Sequence, residues 1–265
     1  QVSAINLLPM SEGPELRGAA GEALRHDSAL KHATGEALYV DDIFEPAGTL
    51  YLAPGTADVT CGCILRMDLA AVREAPGVVS VLTAADVPGN NDVSPTGCGD
   101  DPLLAKSELH FHRQPVFAVI ARSYQEARSA ARLGKIDVAP SDPILTIDQA
   151  LKAGTFVSEQ RQMGRGDWQT ALEDAPHHAK GTAWSGGQDH FYLEGQVSLA
   201  VPAEDGGVHI YCSTQHPSEV QHATATVLGL TDRSVTVEVR RMGGGFGGKE
   251  TQAAQWAALA ALAAV

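Results

Sequence analysis

The feature that most constrains this chain is a run of five glycines behind a short apolar strand. Residues 240–250 read RRMGGGFGGKE, with one aromatic side chain, Phe246, among the glycines and one carboxylate, Glu250, after them. Glycines at this density leave backbone N–H groups free to approach a polar ligand closely. Residues 235–239 alternate valine with polar residues, which predicts a half-buried strand that leads into the loop. A helix is predicted from Thr251, so the loop amides and Glu250 should lie near a helix N-terminus.

The spacing of this loop matches a phosphate-binding loop up to its last position. Gly243, Gly248 and Lys249 satisfy the pattern G-x-x-x-x-G-K, but Glu250 stands where a serine or threonine would hold magnesium. A carboxylate there repels a nucleotide phosphate, so we expect a ligand other than ATP. Glu250 has two interpretations: a group that contacts the ligand, or a cap for the following helix, where acidic residues are favoured.

The net charge limits the kinds of partner that the protein can bind, and the cysteine content indicates its cellular compartment. The 265 residues carry a formal net charge of −13, which argues against nucleic acid or an anionic membrane surface as partner. No apolar run in the sequence has the length of a membrane span. The four cysteines form no C-x-x-C pair. We interpret them as small buried hydrophobic residues of a cytoplasmic protein, and we expect neither zinc nor an iron–sulfur cluster in this chain.

Strand signals predict an α+β chain with two folded domains. We place an N-terminal extension at 1–25, a first domain at 26–143, a linker at 144–163 and a second domain at 164–265. The predicted strands of the first domain are Thr49–Thr56, Gly77–Leu82, Arg113–Ala121 and Lys135–Ala139. Those of the second are Gly181–Ser185, Gln196–Pro202, Val208–Ser213 and Val235–Val239.

Helix boundaries have their own signals. In the first domain, Ser123 begins a capping box and Asp68 is a candidate N-cap. In the second, Asp167 caps a short helix, and Pro217 begins a longer helix that should stop at Gly229. These positions predict helices that alternate with the strands.

A second unusual run, residues 185–194, reads SGGQDHFYLE. Two glycines precede Gln188, whose amide can donate to an oxo group or accept from a hydroxyl. The alternative is a surface turn in which Gln188 contacts only water. His190 has no second ligand at i+3 or i+4, so we interpret it as a structural histidine and not a metal ligand.

Together the two runs resemble segments of the molybdenum hydroxylases, the xanthine oxidase family. Residues 186–194 look like the family's first molybdenum-cofactor segment, and residues 243–250 look like its second. Three upstream runs resemble the opening of the molybdenum-binding subunit of bacterial xanthine dehydrogenases: HDSA at 26–29, HATG at 32–35 and YVDD at 39–42. The resemblance implies an α/β hammerhead domain followed by the first part of a molybdopterin-binding domain.

The resemblance also implies a molybdopterin cofactor, whose dithiolene sulfurs hold the molybdenum so that no side chain ligates it. Gln188, next to Gly187, would hydrogen-bond an oxygen ligand of the metal. Phe246, between Gly245 and Gly247, would stand beside the metal with its backbone towards the cofactor. Gln188 and Phe246 would thus both lie beside the molybdenum centre without ligating the metal.

For the reaction, the resemblance implies hydroxylation of hypoxanthine or xanthine to urate, with water as the oxygen source. Glu250 would bind the substrate and take part in catalysis, because a carboxylate can hydrogen-bond the N–H edge of a purine and stabilise the transition state. An aldehyde offers no such edge, so a buried glutamate would only be desolvated. The family's general base lies beyond the part that this chain resembles, and no residue here is assigned to that role.

The same resemblance implies companions. The family subunit is longer, so we expect an N-terminal portion (a fragment, an expressed portion or one product of a split gene) that is inactive alone and needs the remaining C-terminal part. Its Ala-rich end, residues 251–265, should expose apolar surface to that part. FAD and [2Fe-2S] clusters are expected on a partner subunit. Two alternatives stay open: a molybdenum hydroxylase for an aldehyde or another N-heterocycle, and a non-catalytic scaffold domain without the cofactor.

Overall fold

The structure is a computed structural model that describes Gly21 and residues 23–265. Most of the predicted extension at 1–25 therefore lies outside the described residues. The chain divides into two units, Gln1–Leu38 and Tyr39–Val265. The first contains helix α1 (Ala29–Thr34), which ends at Gly35 in the left-handed conformation.

The second unit alternates strands and helices. Its strands are β1 (Tyr51–Thr56), β2 (Gly62–Asp68), β3 (Val78–Thr83), β4 (Glu108–Leu109), β5 (Pro115–Ala121), β6 (Lys135–Pro140), β7 (Ser198–Pro202), β8 (Val208–Cys212) and β9 (Val235–Glu238). Its helices are α2 (Ala70–Arg73), α3 (Tyr124–Ala131), α4 (Ile147–Ala153), α5 (Trp168–Glu173), α6 (Pro217–Leu228) and α7 (Gln252–Ala264). Short 3₁₀ turns lie at Val40–Asp42, Ala84–Asp86, Glu204–Gly206 and Asp232–Ser234.

Two antiparallel sheets form the N-terminal part of this unit, in the orders β1-β5-β3 and β4-β2-β6. β5 is buried along its whole length because it is the central strand and packs on both faces. All four strands predicted for the first domain are confirmed, with ends that shift by a few residues. β2 and β4 are strands that the sequence patterns did not predict.

The ring of Phe117 on β5 is enclosed by two glycines. A Cβ added at Gly55 would lie 2.0 Å from Phe117 Cζ, and one added at Gly134 would lie 2.4 Å from the same atom. Real Cβ contacts are never this short, so the fully buried ring occupies the space that side chains at both positions would need.

The third sheet has the order β7-β8-β9, with β7 antiparallel and β9 parallel to β8. The parallel pair requires a crossover, which helix α6 provides. β9 then leads into the glycine run, and α7 begins two residues after Glu250. Strand β9 and helix α7 therefore hold the loop from both ends, as the sequence predicts.

The predicted capping signals act as expected, with one shift. Ser123 and Asp167 each accept a hydrogen bond from the backbone N–H three residues on, Pro217 is the first residue of α6, and Gly229 ends it in the left-handed conformation. Asp68 is not the N-cap of α2, which is Leu69, although its carboxylate accepts from Ala70 N–H at 3.1 Å.

Two expectations are wrong, and a third is wrong in part. Gly181–Ser185 is an exposed segment that joins none of the three sheets, so no pairing with a neighbouring strand stabilises it. The Ala-rich end is covered more than expected, because α7 packs on α6, β7 and β8, but part of its apolar surface stays accessible in an open cleft lined by Trp256, Ala260, Ala263 and Ala264. Its buried residues are Ala253, Ala254, Ala257, Ala258, Leu259, Ala261 and Leu262. Of the four free cysteines only Cys212 is buried, while Cys63 and Cys98 are exposed in surface segments.

The main core joins both halves of the second unit. Ala118 of β5, with Leu103 and Leu104 from the loop before β4, clusters with buried residues of β8, β9, α6 and α7. The domain boundaries at 143 and 164 stay predictions. None of the helices in the described part of the chain is long and apolar enough to cross a membrane.

Candidate functional site

The structure brings residues 190–194 against the glycine loop. These residues are the second half of the run at 185–194, called here the first motif, and the glycine loop at 243–249 is the second motif. Glu194 N–H donates to Gly243 O at 3.3 Å, and Gly243 N–H donates to Glu194 Oε2 at 2.8 Å. A Cβ added at Gly243 would lie 2.5 Å from Glu194 Cβ, and one added at Gly248 would lie 2.7 Å from Tyr192 Cε1 and 2.8 Å from His190 Cγ. The glycines at these two positions thus permit a backbone approach that any side chain would prevent.

The amides of the loop fall into two groups. Four are used internally: Gly243 N–H by Glu194, Gly247 and Lys249 N–H by Gln215, and Gly248 N–H by the carbonyl of Gly245. The three consecutive N–H groups of residues 244–246 have no hydrogen-bond partner among the described residues. Three adjacent unpaired donors form a site that favours oxygen acceptors or an anion.

Phe246 is held in an unusual conformation at the tip of this loop. Its φ of 52° is left-handed, which a phenylalanine rarely adopts, and the residue is 74% exposed. The left-handed conformation costs roughly 1–2 kcal/mol for a residue with a Cβ. An exposed aromatic held at that cost suggests a constraint from a ligand that contacts the loop.

Gln215 is a site residue that the sequence analysis missed. It lies between β8 and α6, and its Oε1 accepts from Gly247 N–H at 2.9 Å and from Lys249 N–H at 3.3 Å. A Cβ at Gly245 would lie 2.5 Å from the same oxygen. The side-chain NH₂ of Gln215 donates to no described residue, so it remains available to a ligand. The polar run STQH at 213–216, placed between a strand end and a helix start, was the signal that could have indicated it.

Gln188 and Gly187 lie in an exposed segment before the contacting half of their motif. Gln188 is exposed and makes no hydrogen bond or ion pair with the described residues, and a Cβ at Gly187 would meet nothing within 4 Å. Their assignment to the cofactor stays a prediction. The ring of His190, two residues on, lies against Gly248 of the loop, and its interpretation as a structural histidine stays a prediction.

Glu250 is exposed and directly precedes the N-cap of α7, Thr251. Neither residue makes a side-chain capping hydrogen bond in the described structure, and α7 has no acidic residue in its first turn. The capping interpretation of Glu250 therefore gains no support, and its carboxylate is accessible to a ligand. Its role as a substrate-binding residue stays a prediction.

The carboxylate of Glu194, in the first motif, accepts a hydrogen bond from Gly243 of the glycine loop. Burial alone would raise its pKa, but hydrogen bonds from Gly243 N–H and the Ser213 hydroxyl, together with the charge of Lys249, hold that pKa below its ordinary value of 4.5. The ionised form is therefore the one that the folded site stabilises.

Acid should weaken the fold through this group. Because the pKa of Glu194 is lower in the folded chain than in the unfolded chain, its contribution to stability is complete above about pH 4.5 and is lost as the pH falls through the folded pKa. We expect the free energy of unfolding, measured with urea between about pH 3 and 7, to fall more steeply at the acid end for the wild type than for Glu194→Gln. Parallel curves for the two proteins would contradict this assignment.

Comparison with known families gives two matches in succession. A family model described as the a/b hammerhead domain of aldehyde oxidase and xanthine dehydrogenase matches residues 34–142. A second, described as the molybdopterin cofactor-binding domain, matches residues 152–265. The glycine loop, Gln215 and Glu250 all lie within the second match.

Curated relatives include aldehyde oxidases and xanthine dehydrogenases at similar identity. The chain is 38% identical to aldehyde oxidase 2 of Mus musculus over 94% of its residues, and 38% identical to xanthine dehydrogenase/oxidase of Gallus gallus over 91%. It spans 18% of the length of each of these relatives.

Solved structures agree on the fold. The aldehyde oxidoreductase of Desulfovibrio gigas superposes with a TM-score of 0.77 at 26% identity, covering 90% of this chain and 29% of that one. CO dehydrogenase of Oligotropha carboxidovorans superposes with a TM-score of 0.72 at 20% identity, over 92% of this chain and 33% of that one, which is evidence of the fold alone.

Proposed function

This chain belongs to the molybdenum hydroxylase family that includes xanthine dehydrogenases and aldehyde oxidases, and on that premise we propose that it binds a molybdenum cofactor and orients a purine beside it. Its fold is an α/β hammerhead domain followed by a portion of a molybdopterin cofactor-binding domain. The homologues are molybdenum-containing oxidoreductases. The substrate is the part that we propose.

The residues present fit such a cofactor. The observation that carries the proposal is the row of three unpaired amides at residues 244–246, which can donate to the oxygen atoms of a pterin-held metal group. We propose that Gly245, Phe246 and Gly247 hold the cofactor through their backbone, with Gln188 and Gly187 approaching from the first motif.

Gln215 adds a donor that the motifs did not predict. Its Oε1 is occupied by two loop amides, so its NH₂ is the group left for an oxygen ligand of the metal. Gln188 and Gln215 are thus two candidates for the same hydrogen bond. Gln215 has the stronger geometric support because it contacts the loop directly.

When bound, the cofactor supplies the two-electron oxidation that accompanies hydroxylation with water. The chain's own contribution is to bind and orient. We propose that Glu250 hydrogen-bonds the N–H edge of hypoxanthine or xanthine and stabilises one tautomer of the purine as negative charge builds during the reaction. No residue of this chain is assigned as the general base.

An aldehyde or another N-heterocycle is the second candidate substrate. The identity to an aldehyde oxidase equals the identity to a xanthine dehydrogenase, which favours neither. The carboxylate of Glu250 is the observation that favours a purine, since it gives a purine edge a partner and an aldehyde none. A scaffold domain without the cofactor is the candidate of a different class.

The complete protein's partners are also proposals. We propose that FAD and [2Fe-2S] clusters reside on a companion subunit in the cytoplasm, and that further sequence of the molybdenum subunit supplies the base.

The experiment is a metal, pterin and substrate assay on the chain purified with all polypeptides that accompany it. We expect molybdenum and pterin in equal amounts, and turnover of xanthine at a higher kcat/KM than turnover of a small aldehyde. Protein without molybdenum, from cells grown with molybdate, would favour the scaffold alternative. Molybdenum with preferred aldehyde turnover would favour the second substrate class.

A further inference from the structure

Lys249 lies inside the protein, directly below the glycine loop. Its side chain is fully buried, and its Nζ donates to Glu194 O at 2.7 Å and to Ser213 Oγ at 2.7 Å, with Glu194 Oε2 at 3.4 Å. An ammonium has three donors, and these three contacts use all of them. The Nζ also lies 4.7 Å from the ring centroid of Tyr192. Lys249 is therefore unable to reach a ligand at the surface, unlike the lysine of a phosphate-binding loop.

The partner carboxylate is equally enclosed. The side chain of Glu194 is 8% exposed; its Oε2 accepts from Gly243 N–H at 2.8 Å and from Ser213 Oγ at 2.6 Å, and its Oε1 accepts from Val40 N–H at 3.4 Å. Glu194 thus contacts the first residue of the loop, Gly243, and also the residue at its end, Lys249. One residue of the first motif fixes both ends of the second.

Stability alone does not require a buried ion pair between Lys249 and Glu194. Two buried charges lose their hydration, and well-packed apolar residues of similar size are often as stabilising. What apolar residues cannot do is fix direction: here the hydrogen bonds define where the loop starts and ends relative to the first motif. Between those two ends lie the three unpaired amides, and just after them lies Glu250.

We propose that Lys249 and Glu194 are positioning residues, which set the spacing between the two motifs and thereby aim the amides of residues 244–246 at the ligand. This rests on the proposed function of the loop. Neither side chain touches the ligand. Cofactor retention should therefore depend on the pair even when the fold is preserved.

The test uses the double variant Lys249→Met/Glu194→Gln in the protein purified with its companion chains. It removes both charges together and keeps the size of both side chains, so the fold should survive. We expect bound pterin, measured by fluorescence after oxidative release, to fall about 10–100-fold, as is usual when groups that orient binding groups are lost. Amide exchange of residues 243–248, measured by mass spectrometry, should become faster by a similar factor.

Two further variants keep the test decisive. Ser213→Ala leaves both charges and removes one acceptor of Lys249, so loop exchange should accelerate by a smaller factor even if the double variant does not fold. Lys152→Met, on exposed α4, is the matched control and should change neither readout.

A folded double variant with wild-type pterin content and wild-type loop exchange would overturn the proposal, and so would unchanged exchange in Ser213→Ala. Absence of pterin from the wild type would count against the proposed function instead. In that case the exchange rates of the loop still report whether the pair positions it.

Discussion

Replacing Glu250 with glutamine is expected to lower kcat/KM for xanthine by about 10²–10³-fold, the usual loss when one hydrogen-bonding group that stabilises the transition state is removed. The amide keeps the shape of the side chain, but its oxygen is a weaker acceptor for a purine N–H than a carboxylate is. The loss should appear mainly in kcat, because the contact favours the tautomer that reacts. Steady-state kinetics with xanthine and with an aldehyde measure it.

The comparison of substrates makes this result specific. For an aldehyde, which has no N–H edge for Glu250, the same variant should lose far less activity. Glu173→Gln, an exposed change on α5, is the matched control and should leave both substrates unaffected. Equal losses for xanthine and aldehyde would mean that Glu250 supports the loop and does not read the purine.

Replacing Lys249 alone with methionine is expected to lower the free energy of unfolding by about 3–5 kcal/mol, because the Glu194 carboxylate is then left buried without its counter-charge. Ser213 and Gly243 still donate to that carboxylate, but two neutral donors do not replace a positive charge. Urea unfolding at neutral pH measures the loss.

A double-mutant cycle separates this effect from lost packing. Adding Glu194→Gln to Lys249→Met removes the unpaired charge, so the double variant should be more stable than the sum of the single changes by about 1–3 kcal/mol. Lys152→Met, which removes an exposed lysine, should change stability by less than about 0.5 kcal/mol. Additive single changes would show that the two side chains do not interact.

Local signals predicted much of this fold because they act within a few residues. Ser123, Asp167, Pro217 and Gly229 all occupy the helix boundaries that their chemistry favours. β2 escaped prediction because it does not alternate cleanly: Leu65 is 69% exposed within it. Its pairing with β4 and β6 comes from distant parts of the chain, which no local pattern encodes.

The candidate site likewise has one part that local sequence signals predict and one part that depends on distant residues. The glycine loop between β9 and α7 could be predicted because its glycines indicate close backbone approach in the sequence itself. The role of Gln215 could not be predicted, since it depends on a side chain that reaches the loop from 32 residues away. The burial of α7 was missed for a related reason: an Ala-rich helix has apolar residues on most faces, so composition does not reveal how many neighbours cover it.

The enclosure of Lys249 gives the protein a built-in chemical reporter. An amine-reactive acylating reagent, or trypsin, needs a lysine that meets solvent, and this one does so only when the Glu194 contacts open. The rate at which Lys249 is labelled in the native protein therefore measures how often its buried contacts beneath the glycine loop break. That opening can be followed in a crude mixture, without substrate and without any spectroscopic signal from a bound metal.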